Sequence, residues 1–334
     1  MDRLMTPFDA ACHESYLRDE SCLRGEAAWI ALPSSPEEVS EILAQAREKK
    51  TSVTVRGGGT GITGGAVPMG GIVMSTARLT QAPSLSMDEK GSLLVTAGAA
   101  VTLEQLQEAI ARRRFDCCDQ AALDRLKEGW IFAVDPTETT ATLGGMFASN
   151  AGGLTAMAHG RMADYVERVG LVLADGSYQE FSRGQYRWGE EIPFLKLKEA
   201  PILCPDRKFS QLSPAPGDDL IDVLAGSEGM LGIVTQLTVR LSPAPADCWG
   251  ICLFCGDEQT ACSLMEELIA ACEETSVTLE AVEYFSQESL ALIEAQRARL
   301  PALSALPQLP EGFPVALYCQ LTAPSTEELE EGLM

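Results

Sequence analysis

The chain has 334 residues, with 25 Lys and Arg against 48 Asp and Glu, a formal net charge of −23 and a sequence pI near 4.4. That negative excess excludes general electrostatic attachment to nucleic acid or to an anionic membrane surface. A hydrophobic fraction of 46% and a charged fraction of 22% describe a soluble globular chain. Its length suits about two domains, and its composition excludes disorder and collagen-like structure.

No run approaches the roughly 18 to 20 apolar residues of a spanning helix. The opening MDRLMTPFDAACHE carries acidic residues where a secretory signal would have its apolar core, so a cytoplasmic protein without an integral membrane segment is expected. The 11 cysteines are expected as reduced thiols. Only two histidines exist, His13 and His159, which leaves no material for a His-rich metal site or a Ser-His-Asp triad.

In chain order, residues 28 to 32 (AWIAL) read as a short buried strand. Ser35, Pro36 and Glu38 then read as a helix start, with Ser35 as cap, Pro36 in the first turn and Glu38 closing a capping box. Val39, Ile42, Leu43 and Ala46 recur at helical spacing, and the β-branched Thr51 to Val55 follows, which gives a strand-helix-strand unit with parallel pairing. Gly then fills eight of the sixteen positions from Arg56 to Gly71. SLLVTAGAAV leads to a helix that Thr102 and Gln105 box-cap and that ends in Arg112, Arg113 and Arg114, where positive charge favours the helix dipole. A second Gly-rich stretch runs from Thr142 to Gly153, and Asp175-Gly176 signals a hairpin within the strand-like YVERVGLVLADGSYQEF. Residues 184 to 217 hold five prolines and read as an excursion, after which DLIDVLAGSEGMLGIVTQLTVRL resumes a helix-turn-strand pattern.

SPAPAD, ending at Asp247, marks a domain boundary, with a first domain over 1–245 and a second over 246–334. The second reads as strand (248 to 255), helix (about 257 to 274), strand (277 to 285), helix (286 to 299), strand (315 to 321) and a helix capped by Ser325 and Glu328. The acidic residues from Glu327 to Glu331 suit that first turn, and the sequence is expected to be C-terminally incomplete.

RGGGTGITGG, Arg56 to Gly65, contains G-x-G-x-x-G at Gly59, Gly61 and Gly64 after a strand. The glycines lead into another strand rather than opening a helix, so a Rossmann site does not fit, and no Gly-Lys-Ser/Thr follows to make a Walker loop. Successive backbone amides without Cβ atoms still make a phosphate cradle.

RGGGTGITGGAVP, DPTETTATLGGMFASNAGG and GSEGMLGIVTQLTVRL, in that order, resemble the signatures of the FAD-binding domain of the vanillyl-alcohol oxidase superfamily. The branch most resembled is the FAD-linked 2-hydroxy-acid dehydrogenases, the group of the glycolate oxidase FAD subunit and D-lactate dehydrogenase. The resemblance covers about residues 16 to 245 and implies an α+β fold. Its FAD domain would have two subdomains, a parallel strand-helix-strand part and an antiparallel sheet, followed by the start of an α+β cap.

Carried onto this chain, the resemblance implies that Arg56, Gly57, Gly58, Gly59, Thr60, Gly61, Ile62, Thr63, Gly64 and Gly65 wrap the FAD pyrophosphate, with Pro68 closing the loop. Pro136, Thr137, Thr140, Gly144 and Gly145 would line the flavin and its phosphates, and Asn150, Gly152 and Gly153 the ribityl chain and ring. Glu228, Gly229, Ile233 and Val234 would approach the adenine end. The first loop lacks the histidine that tethers flavin in some relatives, so FAD is expected to be noncovalent.

The chemistry implied is hydride transfer from a 2-hydroxy acid to flavin N5, with electrons passed to a separate acceptor such as an iron-sulfur subunit. No catalytic base is assignable, because the family's H-x-G-D-G-N-like segment is not in this sequence, and no metal site is assigned. The alternatives are a non-catalytic electron-relay subunit and a superfamily member with a different substrate class. The excursion at 184 to 217 and GDDL, Gly217 to Leu220, depart from the family pattern on the substrate side.

His159 is expected as a hydrogen-bonded structural residue, with a place beside the flavin as the alternative. Cys252 and Cys255 form a CxxC with Cys248 upstream, a spacing that admits metal or redox chemistry. The apolar strand around them favours packed core thiols, and the same is expected of Cys117, Cys118 and Cys204.

Overall fold

The computed structural model describes residues 4–194, 214–304, 306 and 308–332, so Cys204 and the middle of the proline-rich excursion lie outside the described residues. Two units are distinguished by their internal packing. One comprises Met1–Ala151 with Arg161–Pro243, and the other Gly152–Gly160 with Ala244–Met334.

In the first unit, strand β1 (Met5–Pro7) and the single turn α1 (Ala10–His13) precede β2 (Trp29–Ala31), helix α2 (Pro36–Glu48) and β3 (Val53–Arg56). Helix α2 starts where its caps dictate. Ser35 Oγ accepts from Glu38 N at 3.3 Å with Pro36 in the first turn, while Glu38 reaches back to Ser34 N at 2.7 Å, one residue upstream of the expected box. Val39, Ile42 and Ala46 are buried, and the fourth periodic residue, Leu43, is half-buried against the same core.

Strand β4 (Ile72–Ser75) differs from expectation. The sheet order is β1-β2-β4-β3, with β4 parallel to both β2 and β3, so the two strands that flank α2 are not neighbours. The chain leaves β3 through the glycine stretch and returns to fill the gap between them.

The second sheet has the order β10-β9-β11-β6-β5-β7. Its strands are β5 (Ser84–Met87), β6 (Leu93–Gly98), β7 (Cys117–Cys118), β9 (Val166–Val172), β10 (Tyr178–Ser182) and β11 (Ile233–Arg240). All pairs are antiparallel except β5 with β7. The β9–β10 hairpin turns at Gly176, whose φ of +87° suits glycine, with Ser177 N held by Asp175 Oδ1 at 2.9 Å. A ribbon of β8 (Trp130–Ile131) and β12 (Ser242–Pro243) lies outside this sheet.

Helices α3 (Leu103–Arg112), α4 (Gln120–Leu126) and α5 (Leu143–Ser149) cover the sheet's apolar face. The Thr102–Gln105 capping box of α3 forms in both directions. Leu103, Leu106 and Ile110 of α3 pack with Val95, Val169 and Leu237 of the strands and with Met146 and Phe147 of α5. Each such side chain contributes roughly 1.5–3 kcal/mol on burial.

The second unit contains α6 (Ala156–His159) and a sheet of order β13-β15-β14, made of β13 (Asp247–Cys255), β14 (Thr278–Phe285) and β15 (Val315–Ala323). Helices α8 (Glu258–Glu273), α9 (Gln287–Arg297), α10 (Pro301–Ser304) and α11 (Thr326–Gly332) complete it, after α7 (Leu220–Leu224) in the first unit. Glu328 N donates to Ser325 Oγ at 3.2 Å, as the capping pattern at the start of α11 requires.

Asp219, in the GDDL segment, is buried and does two jobs. Oδ1 accepts from Ile221 N at 3.0 Å to cap α7, and Oδ2 accepts from Gly184 N at 2.6 Å, which ties the two sides of the excursion together. Asp219→Ala removes a cap and leaves the Gly184 amide without its acceptor, so a stability loss of about 2 kcal/mol is expected in urea unfolding. A loss below about 0.5 kcal/mol would contradict this role.

The cysteines divide by strand face. Cys255 and Cys319 are buried, and burial pushes the Cys319 thiol pKa up. Cys117 and Cys118 are exposed on the two-residue edge strand β7, and Cys248 and Cys252 are exposed on alternate positions of β13, contrary to a shared core role. Ellman's reagent is expected to modify Cys117 and Cys118 within minutes in the native chain and to reach Cys319 only on unfolding; native-state labelling of Cys319 would refute the packing. Among the described residues, no group of three or more His, Cys, Asp or Glu is placed to hold a metal.

Candidate cofactor site

Three segments of the first unit surround one cavity. The first is the glycine stretch after β3, and its glycines are required by contact as well as by conformation. A Cβ on Gly57 would sit 2.6 Å from Thr142 Oγ1, and one on Gly58 would sit 2.9 Å from the Thr140 carbonyl oxygen. The stretch therefore lies directly on the turn that begins α5, where Thr142 Oγ1 accepts from Gly145 N at 3.3 Å. Gly144 N donates to Ala99 O at 2.9 Å, and a Cβ there would fall 2.7 Å from Ala99 Cβ, so α5 is seated tightly against the end of β6.

The third segment is sewn to the far end of α5. Gly226 N donates to Phe147 O at 3.0 Å and Glu228 N to Ala148 O at 2.9 Å. Glu228 has φ +51°, Thr137 +66° and Asn150 +49°, all left-handed conformations that non-glycine residues adopt rarely. Asn150 ends α5 in this conformation and accepts from Ala163 N at 3.0 Å, while Thr137 N is held by Asp135 Oδ1 at 3.0 Å.

The cavity is lined by Gly57, Gly58, Gly59, Thr60, Gly61, Thr63 and Gly65 of the first segment, by Pro136, Gly144 and Gly145 of the second, and by Glu228, Gly229, Ile233 and Val234 of the third. Other residues expected from the sequence stand outside the lining. Arg56 and Gly64 lie behind it, Ile62 is 78% exposed, and Pro68 is buried with its carbonyl accepting from Glu26 N at 2.8 Å. Thr137, Thr140 and Asn150 are also outside the lining, with the Thr140 carbonyl against Gly58 and Asn150 beside Gly226, while Gly152 and Gly153 belong to the second unit.

Val55, Thr76, Glu138, Thr142, Phe147, Ser149, Leu171 and Ser227 also line the cavity and were not expected. Thr142 had a local signal, since it caps α5; Leu171 had none, being one apolar residue among many in β9.

Among the described residues, the lining carries two carboxylates, Glu138 and Glu228, and no Lys or Arg. Hydrogen bonds from the Thr140 hydroxyl and amide hold the Glu138 pKa below the usual carboxylate value. Among the described residues, the amides of Gly58 to Ala66 donate no hydrogen bond within the protein. A Cβ on Gly61 would meet nothing within 4 Å and one on Gly65 would come no nearer than 3.8 Å, to Glu228 Oε2. Free donors beside space that side chains do not fill suit an anionic group such as the FAD diphosphate.

His159 and its partners lie within the second unit. His159 Nε2 meets Glu280 Oε1 at 2.9 Å, Gln320 Nε2 donates to Glu280 Oε2 at 2.9 Å, and Thr322 Oγ1 donates to Glu280 Oε1 at 3.0 Å. The hydrogen-bonded structural histidine is therefore present, with a buried carboxylate as acceptor. His13, to which no role was assigned, lies between the rings of Phe8 and Tyr16.

A mainly parallel sheet whose central crossing is a glycine cradle, beside a mainly antiparallel sheet, is the architecture of an FAD-binding domain. The chain carries an FAD-binding domain of the PCMH, vanillyl-alcohol-oxidase type and is homologous to FAD-linked oxidoreductases. The family model described as "FAD binding domain" matches residues 27–125 and 119–182. The chain is 36% identical over 219 residues to a D-lactate dehydrogenase of Archaeoglobus fulgidus, covering 65% of this chain and 39% of that protein. It is 32% identical over 235 residues to a D-lactate dehydrogenase of Anaerostipes hadrus, covering 70% and 40%. Glycolate oxidase subunit GlcD of Bacillus subtilis is 26% identical over 273 residues, 79% of this chain and 47% of that one.

The chain thus spans about two fifths of the length of the first two relatives. Among solved structures, an alkyldihydroxyacetonephosphate synthase shares the fold, with a TM-score of 0.66 and 15% identity over 100% of this chain and 55% of that one. Among the described residues, no helix is long and apolar enough to cross a membrane.

Proposed function

We propose that this chain is the FAD-binding part of a dehydrogenase that oxidises a lactate- or glycolate-like 2-hydroxy acid and delivers the electrons to a separate acceptor. The observation that carries the reading is the glycine cradle from Gly57 to Gly65, with unbonded amides beside a cavity that, among the described residues, has no cationic side chain in its lining. The named relatives, two D-lactate dehydrogenases and a glycolate oxidase subunit, supply the substrate class.

When bound, FAD would supply a two-electron acceptor for the hydride of the substrate α-carbon. The chain's share is binding and orientation. The backbone amides of Gly58 to Gly65 would hold the diphosphate, and the second Gly-rich segment, with Pro136, Gly144 and Gly145, would leave room for the cofactor's flat parts. Glu138 and Glu228 can only accept hydrogen bonds when ionised, so they are matched to sugar hydroxyls rather than phosphate oxygens. Among the described residues, no His, Cys or Tyr lines the cavity, which supports noncovalent attachment.

Purified chain reconstituted with FAD and titrated anaerobically with D-lactate, glycolate and D-2-hydroxyglutarate tests the proposal. Bleaching of the flavin band by one acid, with FAD released intact on denaturation, is the expected outcome. Stable FAD binding with no bleaching by any of these acids would show that this chain alone does not oxidise them and would favour the electron-relay alternative, and failure to take up FAD would refute the site.

A further inference from the structure

Behind the first glycine segment, on the side away from the cavity, lies a cluster that FAD contact does not explain. Arg56 Nη1 donates to Arg18 O at 2.6 Å, and the guanidinium stacks over the Tyr16 ring with its carbon 5.8 Å from the ring centre. The same guanidinium lies directly under Gly59, where a Cβ would come within 2.2 Å of Nη2. Glu20 N donates to Gly59 O at 3.3 Å. Asp19, between Arg18 and Glu20 in the chain, is only 9% exposed, with Oδ1 accepting from Ser21 N at 3.0 Å and Oδ2 buried without a hydrogen-bond partner. Burial lowers the Arg56 pKa, and the nearby Asp19 carboxylate opposes that shift.

We propose that Asp19 and Arg56 are positioning residues that latch segment 16–21 beneath the glycine cradle and thereby set its affinity for FAD without touching the cofactor. The inference rests on the FAD reading of the cavity and assigns Arg56 a place behind the loop instead of on the pyrophosphate. A buried carboxylate near enough to act on a half-buried guanidinium through its charge, without an ion-pair contact, favours the cation where it bonds the Arg18 carbonyl and supports Gly59 from below. Without the carboxylate the guanidinium gains by turning to solvent, and the loop loses its floor.

The sign of the effect separates this role from plain electrostatics. Asp19→Asn keeps the bonds to Ser21 and deletes one negative charge near an anion-binding loop, so Coulomb attraction alone would tighten FAD binding. The latch requires the opposite. D19N and R56M are each expected to weaken FAD binding about tenfold or more in equilibrium titration of the apo chain. The double variant is expected to be no weaker than the worse single, since both remove one coupled unit.

Hydrogen exchange of the unliganded chain supplies a second readout. The Glu20 and Val67 amides, which donate to Gly59 and Gly64 carbonyls, are expected to exchange about tenfold faster in D19N, with β13 and β15 unchanged. Unchanged or tighter FAD binding in D19N, additive losses in the double variant, or unchanged exchange at Glu20 and Val67 would each overturn the latch. Should the parent chain bind no FAD, the reading of the cavity fails, and the exchange measurement still decides whether the latch exists.

Discussion

Gly61→Val is expected to leave the apo chain as stable as the parent and to weaken FAD binding by about a hundredfold, equivalent to about 3 kcal/mol. Gly61 has no positive φ, nothing within 4 Å of its Cβ position, and a place in the cavity wall. The first side-chain carbon of a valine there meets no protein atom within 4 Å, so a stability change of less than about 0.5 kcal/mol is expected, yet its methyl groups would enter the space of a diphosphate bound at this segment. Gly144→Val is the control. Its first carbon already lies 2.7 Å from Ala99 Cβ and 3.1 Å from Ala99 O, so it separates α5 from the end of β6 and costs about 1–3 kcal/mol of stability in addition to cofactor. Thermal unfolding of the apo proteins and flavin-fluorescence titration separate the two. A Gly61 variant with parental affinity would remove the diphosphate from the first glycine segment.

Glu280→Ala is expected to lower the stability of the second unit by about 2–4 kcal/mol. The residue is 4% exposed and accepts from Gln320 and Thr322 while meeting His159 Nε2, so truncation leaves those polar groups without their acceptor inside the protein. A register shift between Leu279 and Ala281 leaves Glu280 as the extra residue of β14, and this bulge aims its carboxylate at Gln320 and Thr322 of β15. Glu280→Gln keeps the shape and part of the hydrogen bonding, and should retain at least half of the stability lost by the alanine. Urea unfolding followed by Trp249 fluorescence measures both. A loss under about 0.5 kcal/mol for the alanine would show that the carboxylate does not hold the network.

The contrast between what was and was not legible in the sequence follows from range. The boundaries of α2 and α3 are encoded within four residues by Ser35, Pro36, Thr102 and Gln105, and both helices start where those residues place them. Asp175-Gly176 likewise determines its hairpin locally. The insertion of β4 between β2 and β3 depends on contacts across the whole glycine stretch, and nothing in IVMS distinguishes a central strand from an edge strand. In the cavity, glycines signalled themselves because only they tolerate the close approach of Thr142 and Thr140. Phe147, Leu171 and Ser149 line it through the angle at which α5 meets the sheet, which no spacing records. Arg56 was legible as part of the motif, but its direction depends on Asp19 and Tyr16, nearly forty residues away.

The position of β4 has a kinetic meaning. It enters the chain after β2 and β3 yet lies between them, so neither parallel pair of this sheet can close until the glycine stretch has been traversed. The cradle is therefore a crossing between adjacent strands, and lengthening it by even one residue would have to be absorbed at the central strand of the sheet. Occupancy of the cradle is coupled to the same event. A ligand at a hundred times its dissociation constant adds about 2.7 kcal/mol to the folded state, and a ligand seated on this crossing adds it to a state in which both parallel pairings of the sheet are closed. Cofactor supply during synthesis would then act on the yield of folded chains as well as on their activity.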